Sequence, residues 1–216
     1  MIDKEHVMAA PASDRPLTRA DRAVLLTFAG IAALVGLVTL AGGVLRIRLY
    51  VLSAGDGTPL ALMTETPLDA VRSSTTPEIV FGVYPTADLL VRGLSDVTRI
   101  LLGLGEGLAV VVAAVVSIGM AALFWSTARG RPFARPLYGW ALVAGATLSI
   151  GSLLAQGISG FGRMNAAVEL NDVTGDIFQV GFPFDPAPVV IGFAIMAMAY
   201  IFRAGARLQR DTEGLV

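Results

Sequence analysis

The chain has no cysteine, and its only histidine is His6, among 216 residues. Without thiols there are no disulfides, no thiolate nucleophile and no cysteine-ligated metal. His6 stands in a polar N-terminal stretch, and a lone histidine there is a solvated residue before it is a ligand. A Ser-His-Asp relay cannot be assembled around it. Charge is scarce as well, at 15% of residues where a soluble domain carries about 25%. The formal net charge is −1, so no basic face for nucleic acid is expected. No phosphate-binding loop ending in Gly-Lys-Ser/Thr and no dinucleotide fingerprint occurs. Together these gaps predict a protein that is not an enzyme and holds neither cofactor nor metal.

What the chain has in quantity is hydrocarbon. Hydrophobic residues make up 55% of it and the mean hydropathy is +0.71. The apolar residues collect in four stretches, Ala23–Leu45, Leu101–Trp125, Leu137–Ile158 and Val189–Phe202 with its flanks. A helix rises about 1.5 Å per residue, so about 20 apolar residues cross the hydrocarbon of a bilayer. Lipid offers no partner to a bare N–H or C=O, so each stretch must be helical. The predicted fold is an all-α membrane protein of four transmembrane helices in one compact bundle. Its lipid partner is the bilayer itself. The first stretch is too long for the h-region of a cleavable signal and reads as a signal anchor.

Basic residues set the orientation. Ten lie in the 1–22 tail, the 126–136 connection and the C-terminal tail, and six lie in the longer loops on the other side. Positive-inside logic places both termini in the cytoplasm. The organisation is then a cytoplasmic tail 1–22, a transmembrane domain 23–202 with external loops 46–99 and 159–188, and a cytoplasmic tail 203–216. Trp125 and Trp140 fall at the inner ends of spans two and three, where an aromatic belt is expected.

Local patterns refine this. Thr18 followed by Asp21 resembles a capping box, so helix one starts before the membrane. Ala29, Ala33, Gly36 and Gly43 put small residues on one helix face, a surface for close packing within the monomer before it serves a dimer. Alternation predicts short strands at Arg46–Val51, Glu78–Tyr84 and Asp176–Phe182, building an external cap from both loops. Asp56-Gly57 is a turn signal. Leu90, Leu94, Val97, Leu101 and Leu104 step by four and three, which predicts an amphipathic helix leading into span two. Gly103, Gly105 and Gly107 are candidates for a bend there. There is no internal repeat of the kind many transporters carry.

Few residues are candidates for chemistry. Glu106 is the one charged residue within the predicted spans, and an intramembrane carboxylate is a candidate site by default. Roughly 30 Å of helix separates it from Trp125, which puts it at the outer edge of the hydrocarbon. Span three carries a polar stripe, Gly145, Ser149, Ser152, Gln156 and Ser159, continued by Arg163. Interhelical hydrogen bonding is its first explanation and a lined conduit the second. Glu106, Gln156, Arg163 and Arg46 are expected to converge as one polar cluster at the outer end of the bundle. Glu169, Asn171, Asp172 and Asp176 crowd the second external loop, but their spacing matches no calcium loop and a solvated loop is expected.

Gly130-Arg131-Pro132-Phe133 joins spans two and three. Phe202-Arg203-x-Gly205-x-x-Leu208 closes span four, and the chain ends Asp211-Thr212-Glu213-Gly214-Leu215-Val216. With four spans and a β-rich first external loop, the chain resembles DUF 2975, a bacterial membrane family of unassigned role, from about span one to the end. The resemblance implies a multi-pass protein of the bacterial cell membrane. Neighbouring helix-turn-helix regulators in that family point to a regulatory, sensory or accessory function with a protein partner or a second copy. The alternative is a small transport or pore component using Glu106 and the third helix.

Overall fold

The computed structural model describes residues 18–52, 57–67, 83–130 and 135–213. The chain is mostly helical. Helix α1 runs Arg19–Leu52, the strands β1 Thr58–Pro67 and β2 Val83–Val91 follow, and α2 is Asp96–Ala128. Next come α3 Arg135–Ala146, a π-helical turn Thr147–Gly151, α4 Ser152–Thr174 and α5 Ala187–Glu213. The π turn joins α3 and α4 without a break, so they form one rod. Three helices are long and apolar enough to cross a membrane: α1, α2 and the rod from Tyr138 to Thr174. In α5 the apolar stretch Ala187–Ile201 is shorter.

The capping box at the start of α1 forms as its residues predict. The Asp21 carboxylate accepts from the Thr18 backbone N–H at 2.9 Å, and the Thr18 hydroxyl accepts from the Asp21 N–H at 3.2 Å. The other end of α1 departs from expectation. Arg46–Val51, read as a strand, is the last turn and a half of the helix. The reason is a second periodicity hidden under the alternation. Gly43, Ile47 and Val51 step by four and face α2, where Val51 meets Gly103 and Ile47 meets Gly107. Tertiary contact at helical spacing overrides a local strand pattern.

β1 and β2 pair antiparallel, with Leu60 opposite Leu89 and Leu62 opposite Ala87. Along β1, Thr58, Leu60, Leu62 and Thr64 point inward while Ala61 and Glu65 point out. Phe178 adds a single bridge to Thr64 on the free side of β1, where the Gln179 N–H donates to the Met63 carbonyl at 3.0 Å. Thus the expected strand at Asp176–Phe182 is reduced to one bridge. Of the expected strand Glu78–Tyr84, residues 78–82 lie outside the described residues, and Val83 and Tyr84 begin β2. His6, Asp56, Arg131, Pro132 and Phe133 also lie outside them.

The helix predicted from Leu90 onward is corrected too. Leu90 is an outward-facing residue of β2, and Gly93 turns the chain at φ +81°. Ser95 then caps α2, accepting from the Thr98 N–H. The helical face that matters is Leu94, Thr98, Leu102 and Gly105, all buried, while Val97 and Leu104 are exposed. The hairpin closes over this face. Leu60, Leu62, Leu94, Leu102, Ala166 and Ala167 form one core, with Ala166 and Ala167 fully buried. The deepest packing therefore lies where the hairpin meets the ends of α2 and α4.

Below the hairpin the helices form a row rather than a ring. α2 packs against α1 on one side and against α4, the π turn and α3 on the other, while α5 packs on α3 and the π turn. Among the described residues α1 and α5 make no substantial contact, which replaces the compact bundle expected from the sequence. The small-residue face of α1 packs inside the monomer, with Gly43 against Val110 and Gly36 against Ser117. The glycines early in α2 serve close approach as well. A Cβ on Gly105 would sit 2.6 Å from the backbone nitrogen of Ser159. Backbone cannot yield as a side-chain tip can, so Gly105→Val should lower stability by about 1–3 kcal/mol. Thermal unfolding in detergent checks this, and a Gly30→Ala variant, with open space at that position, should leave the midpoint unchanged.

Candidate polar site at the hairpin end of the helices

A helix leaves its first four N–H groups and last four C=O groups without partners inside the helix. At the hairpin end two such termini lie side by side, the end of α1 and the start of α2. Each is served by a charged side chain from a neighbouring element. Arg99 of α2 donates from Nε to the Tyr50 carbonyl at 3.0 Å and from Nη2 to the Val51 carbonyl at 2.5 Å. Its side chain is 12% exposed, so these bonds are largely shielded from water. Glu169 of α4 accepts from the Ser95 N–H at 3.0 Å, the Ser95 hydroxyl at 2.6 Å and the Thr98 hydroxyl at 2.5 Å. A cation at a C-terminus and an anion at an N-terminus also suit the helix dipoles.

One turn further along lies a small polar cavity of about 170 Å³ between α1, α2 and α4. Glu106, Gln156 and Arg163 line it, with Tyr50 and Ser159. The predicted cluster is therefore brought together, but its internal bonding is thinner than expected. Arg46 Nη1 lies 3.4 Å from Glu106 Oε1, with Arg46 66% exposed and Glu106 23% exposed. An ion pair this long and open contributes at most about 1 kcal/mol. Gln156 does not bond to Glu106. Its amide clamps the segment before α5, with Nε2 donating to the Asp185 carbonyl at 3.0 Å and Oε1 accepting from the Asp185 N–H at 2.7 Å. Arg163 makes no hydrogen bond or ion pair among the described residues and meets Tyr50 only through its field.

The polar stripe of the third span is engaged with backbone. The Ser149 hydroxyl donates to the Val189 carbonyl of α5 at 2.9 Å. Ser152 donates to the Leu148 carbonyl, and Ser159 to the Gln156 carbonyl at 3.2 Å, both within the rod. Beneath the cavity α2 and the α3–α4 rod approach closely, with Gly151 against Val112 and Gly119 against Ala144. The larger cavity, about 920 Å³, is an apolar groove between α1 and α2, with Ala33, Gly36, Ser117 and Ala121 in its walls. It carries no ionisable group.

The acidic residues of 169–176 separate on the structure. Glu169 caps α2, and Asn171 holds both backbone groups of Phe178, accepting its N–H at 2.9 Å and donating to its carbonyl at 2.8 Å. No group of three His, Cys, Asp or Glu side chains suited to a metal occurs among the described residues. Sequence reading missed Arg99 and Glu169 as caps. Ser95 ahead of Asp96 at a helix start was the available signal, but the carboxylate that completes it comes from 74 residues away. No family model, no curated protein and no solved structure matches the chain.

The bonding ranks the carboxylates. Glu169→Ala removes the acceptor of three short hydrogen bonds and should cost about 2–4 kcal/mol, at about 1.5–3 kcal/mol for a hydrogen bond to a charge with partial rescue by water. Glu106→Gln should cost less than about 1 kcal/mol. Unfolding midpoints of the two variants in detergent measure the difference. Equal midpoints would refute the ranking.

Proposed function

We propose that this chain is a multi-pass protein of the bacterial cell membrane, non-enzymatic, with a regulatory, sensory or accessory role. In this reading both termini are cytoplasmic and the β1–β2 hairpin is an extracytoplasmic cap. The resemblance to DUF 2975 drawn from the sequence motifs is in keeping with the same assignment. Three helices of membrane-spanning length favour the placement. A fourth crossing by α5 is short but feasible, because a short stretch is accommodated by snorkelling at its ends. Arg203, in the turn after this stretch, is placed to do so; it lies 4.9 Å over the Tyr138 ring and donates to its hydroxyl at 3.2 Å.

The observation that carries the role is the core shared by hairpin and helices. Leu60 and Leu62 of the cap share one buried cluster with Leu102 of α2 and Ala166 of α4. A cap welded to two helices transmits a binding event outside as a shift of the helices, which a tethered independent domain would not do. The partner in this role is a second membrane or cytoplasmic protein, or another copy of the chain. The transport alternative would need a continuous polar path, and beneath Glu106 the close contacts of α2 with the α3–α4 rod are apolar, at Val112 and Ala144.

Two measurements test this. Single cysteines at Thr86 and Ser126 should report opposite sides, with an impermeant thiol reagent labelling Thr86→Cys in intact cells and Ser126→Cys only after lysis. Reversed labelling would invert the orientation. Liposomes containing the purified chain should show no proton or cation flux above protein-free liposomes. Flux that Glu106→Gln abolishes would replace the sensory reading with the transport one.

A further inference from the structure

The cavity under the cap is lined by a guanidinium that the fold does not use. Glu106 is answered by Arg46, which leaves the Arg163 guanidinium without an anion among the described residues. Arg163 is only half exposed and looks into the same space as the Tyr50 ring and Ser159. A guanidinium presents a planar fork of donors that matches phosphate and carboxylate oxygens. We propose that this cavity is a binding site for the phosphate group of an outer-leaflet glycerophospholipid, held by Arg163 with Tyr50 beside it.

Size, depth and access select this ligand. Drug-sized ligands occupy about 300–1,000 Å³, so a cavity of about 170 Å³ takes a group of a few heavy atoms and not a whole metabolite. The rest of the molecule must lie outside, through the mouth between α1, α2 and α4. Glu106 stands roughly 30 Å along α2 from Trp125, at the outer edge of the hydrocarbon, and Arg163, two turns beyond Gln156 on α4, reaches toward the phosphate layer of the outer leaflet. Leu102, Ala109 and Ala155 belong to the cavity lining. Glu106, the one carboxylate in the lining, is paired with Arg46 from outside it, so Arg163 is the group left to take an anion. Lipid phosphate is the anion present in that layer, although free phosphate shares the chemistry.

This inference rests on the membrane placement proposed above, and the experiment separates the two. The full chain is purified in detergent, stripped of lipid, and its unfolding midpoint is followed as phosphatidylglycerol, diacylglycerol with the same chains, or inorganic phosphate is added. Phosphatidylglycerol should raise the midpoint by roughly 5 °C at saturation. Diacylglycerol and inorganic phosphate should not. Arg163→Gln should abolish the rise, Arg163→Lys should reduce it, and Arg48→Gln, at an exposed residue outside the cavity, should keep it. Native mass spectrometry should count one retained phospholipid fewer in Arg163→Lys, a variant that keeps the charge and guards against a misfolded Gln form. An undiminished rise in both Arg163 variants, or an equal rise with diacylglycerol, overturns the site. An equal, Arg163-dependent rise with inorganic phosphate overturns the lipid source. Release of the chain from membranes by alkaline carbonate would instead sink the membrane reading itself.

Discussion

Backbone polar groups at helix ends are the constraint on which this structure depends. In lipid or at its edge, an N–H or C=O without a partner costs several kcal/mol, and a helix cannot satisfy its own termini. Here α1 ends and α2 begins next to each other, joined by a hairpin that cannot supply all the missing partners. Arg99 answers the carbonyls of α1, and Glu169 answers the start of α2. Each cap reaches across to another element, so the same bonds that satisfy a terminus also fix α1 to α2 and α2 to α4. Remove either and the loss is local capping and helix registration together.

The hairpin follows from that arrangement. Once α2 and α4 are tied at Ser95, Thr98 and Glu169, the apolar residues beside them, Leu94, Leu102, Ala166 and Ala167, form a shelf. A two-stranded hairpin is marginal alone in water. It is stable here because Leu60 and Leu62 fill that shelf, with Phe178 bridging its free side under the grip of Asn171. Burying two leucines contributes about 3–6 kcal/mol toward ordering the paired strands.

What could be read from the residues divides along this line. Long apolar runs, the Thr18–Asp21 capping box and the small face of α1 were legible, because each is written in contiguous residues or at one helical spacing. The convergence of Glu106, Gln156, Arg163 and Arg46 was also legible, since opposed helix directions fix their depth. Strand β1 was not. Its inward set includes Thr58 and Thr64 and its outward set includes Ala61 and Met63, so burial alternates while hydrophobicity does not. The extension of α1 through Arg46–Val51 depended on Gly103 and Gly107 of a distant helix. The π turn at Thr147–Gly151 has no composition of its own. It lies where Gly145 and Ser149 meet Gly192 and Val189 of α5, and the close approach of two helices is a tertiary fact.

The open row of helices explains why so many local devices are needed. In water, burying apolar stripes would close α1 against α5. In lipid that drive vanishes, because hydrocarbon tails solvate leucine as well as another helix does. Each helix must then be held by something lipid cannot imitate. For α1 it is backbone approach at Gly43 and the guanidinium of Arg99 on its last carbonyls. For α5 it is the Ser149 hydroxyl on Val189, the Gln156 clamp on Asp185, and Gly192 packed on the backbone of Gly145. The holds on α5 lie along α3, the π turn and the start of α4, at or below the middle of the row, whereas those on α1, Gly43 on Val110 and Arg99 on its last carbonyls, lie in the half toward the hairpin. The opposite end relies on ring contacts, Phe28 with Phe124 at 5.6 Å and Tyr138 with Tyr200 at 5.8 Å, each worth about 0.5–1.5 kcal/mol beyond burial. The two flanking helices are thus held at different heights, α1 beneath the hairpin and α5 along the half of the rod away from it.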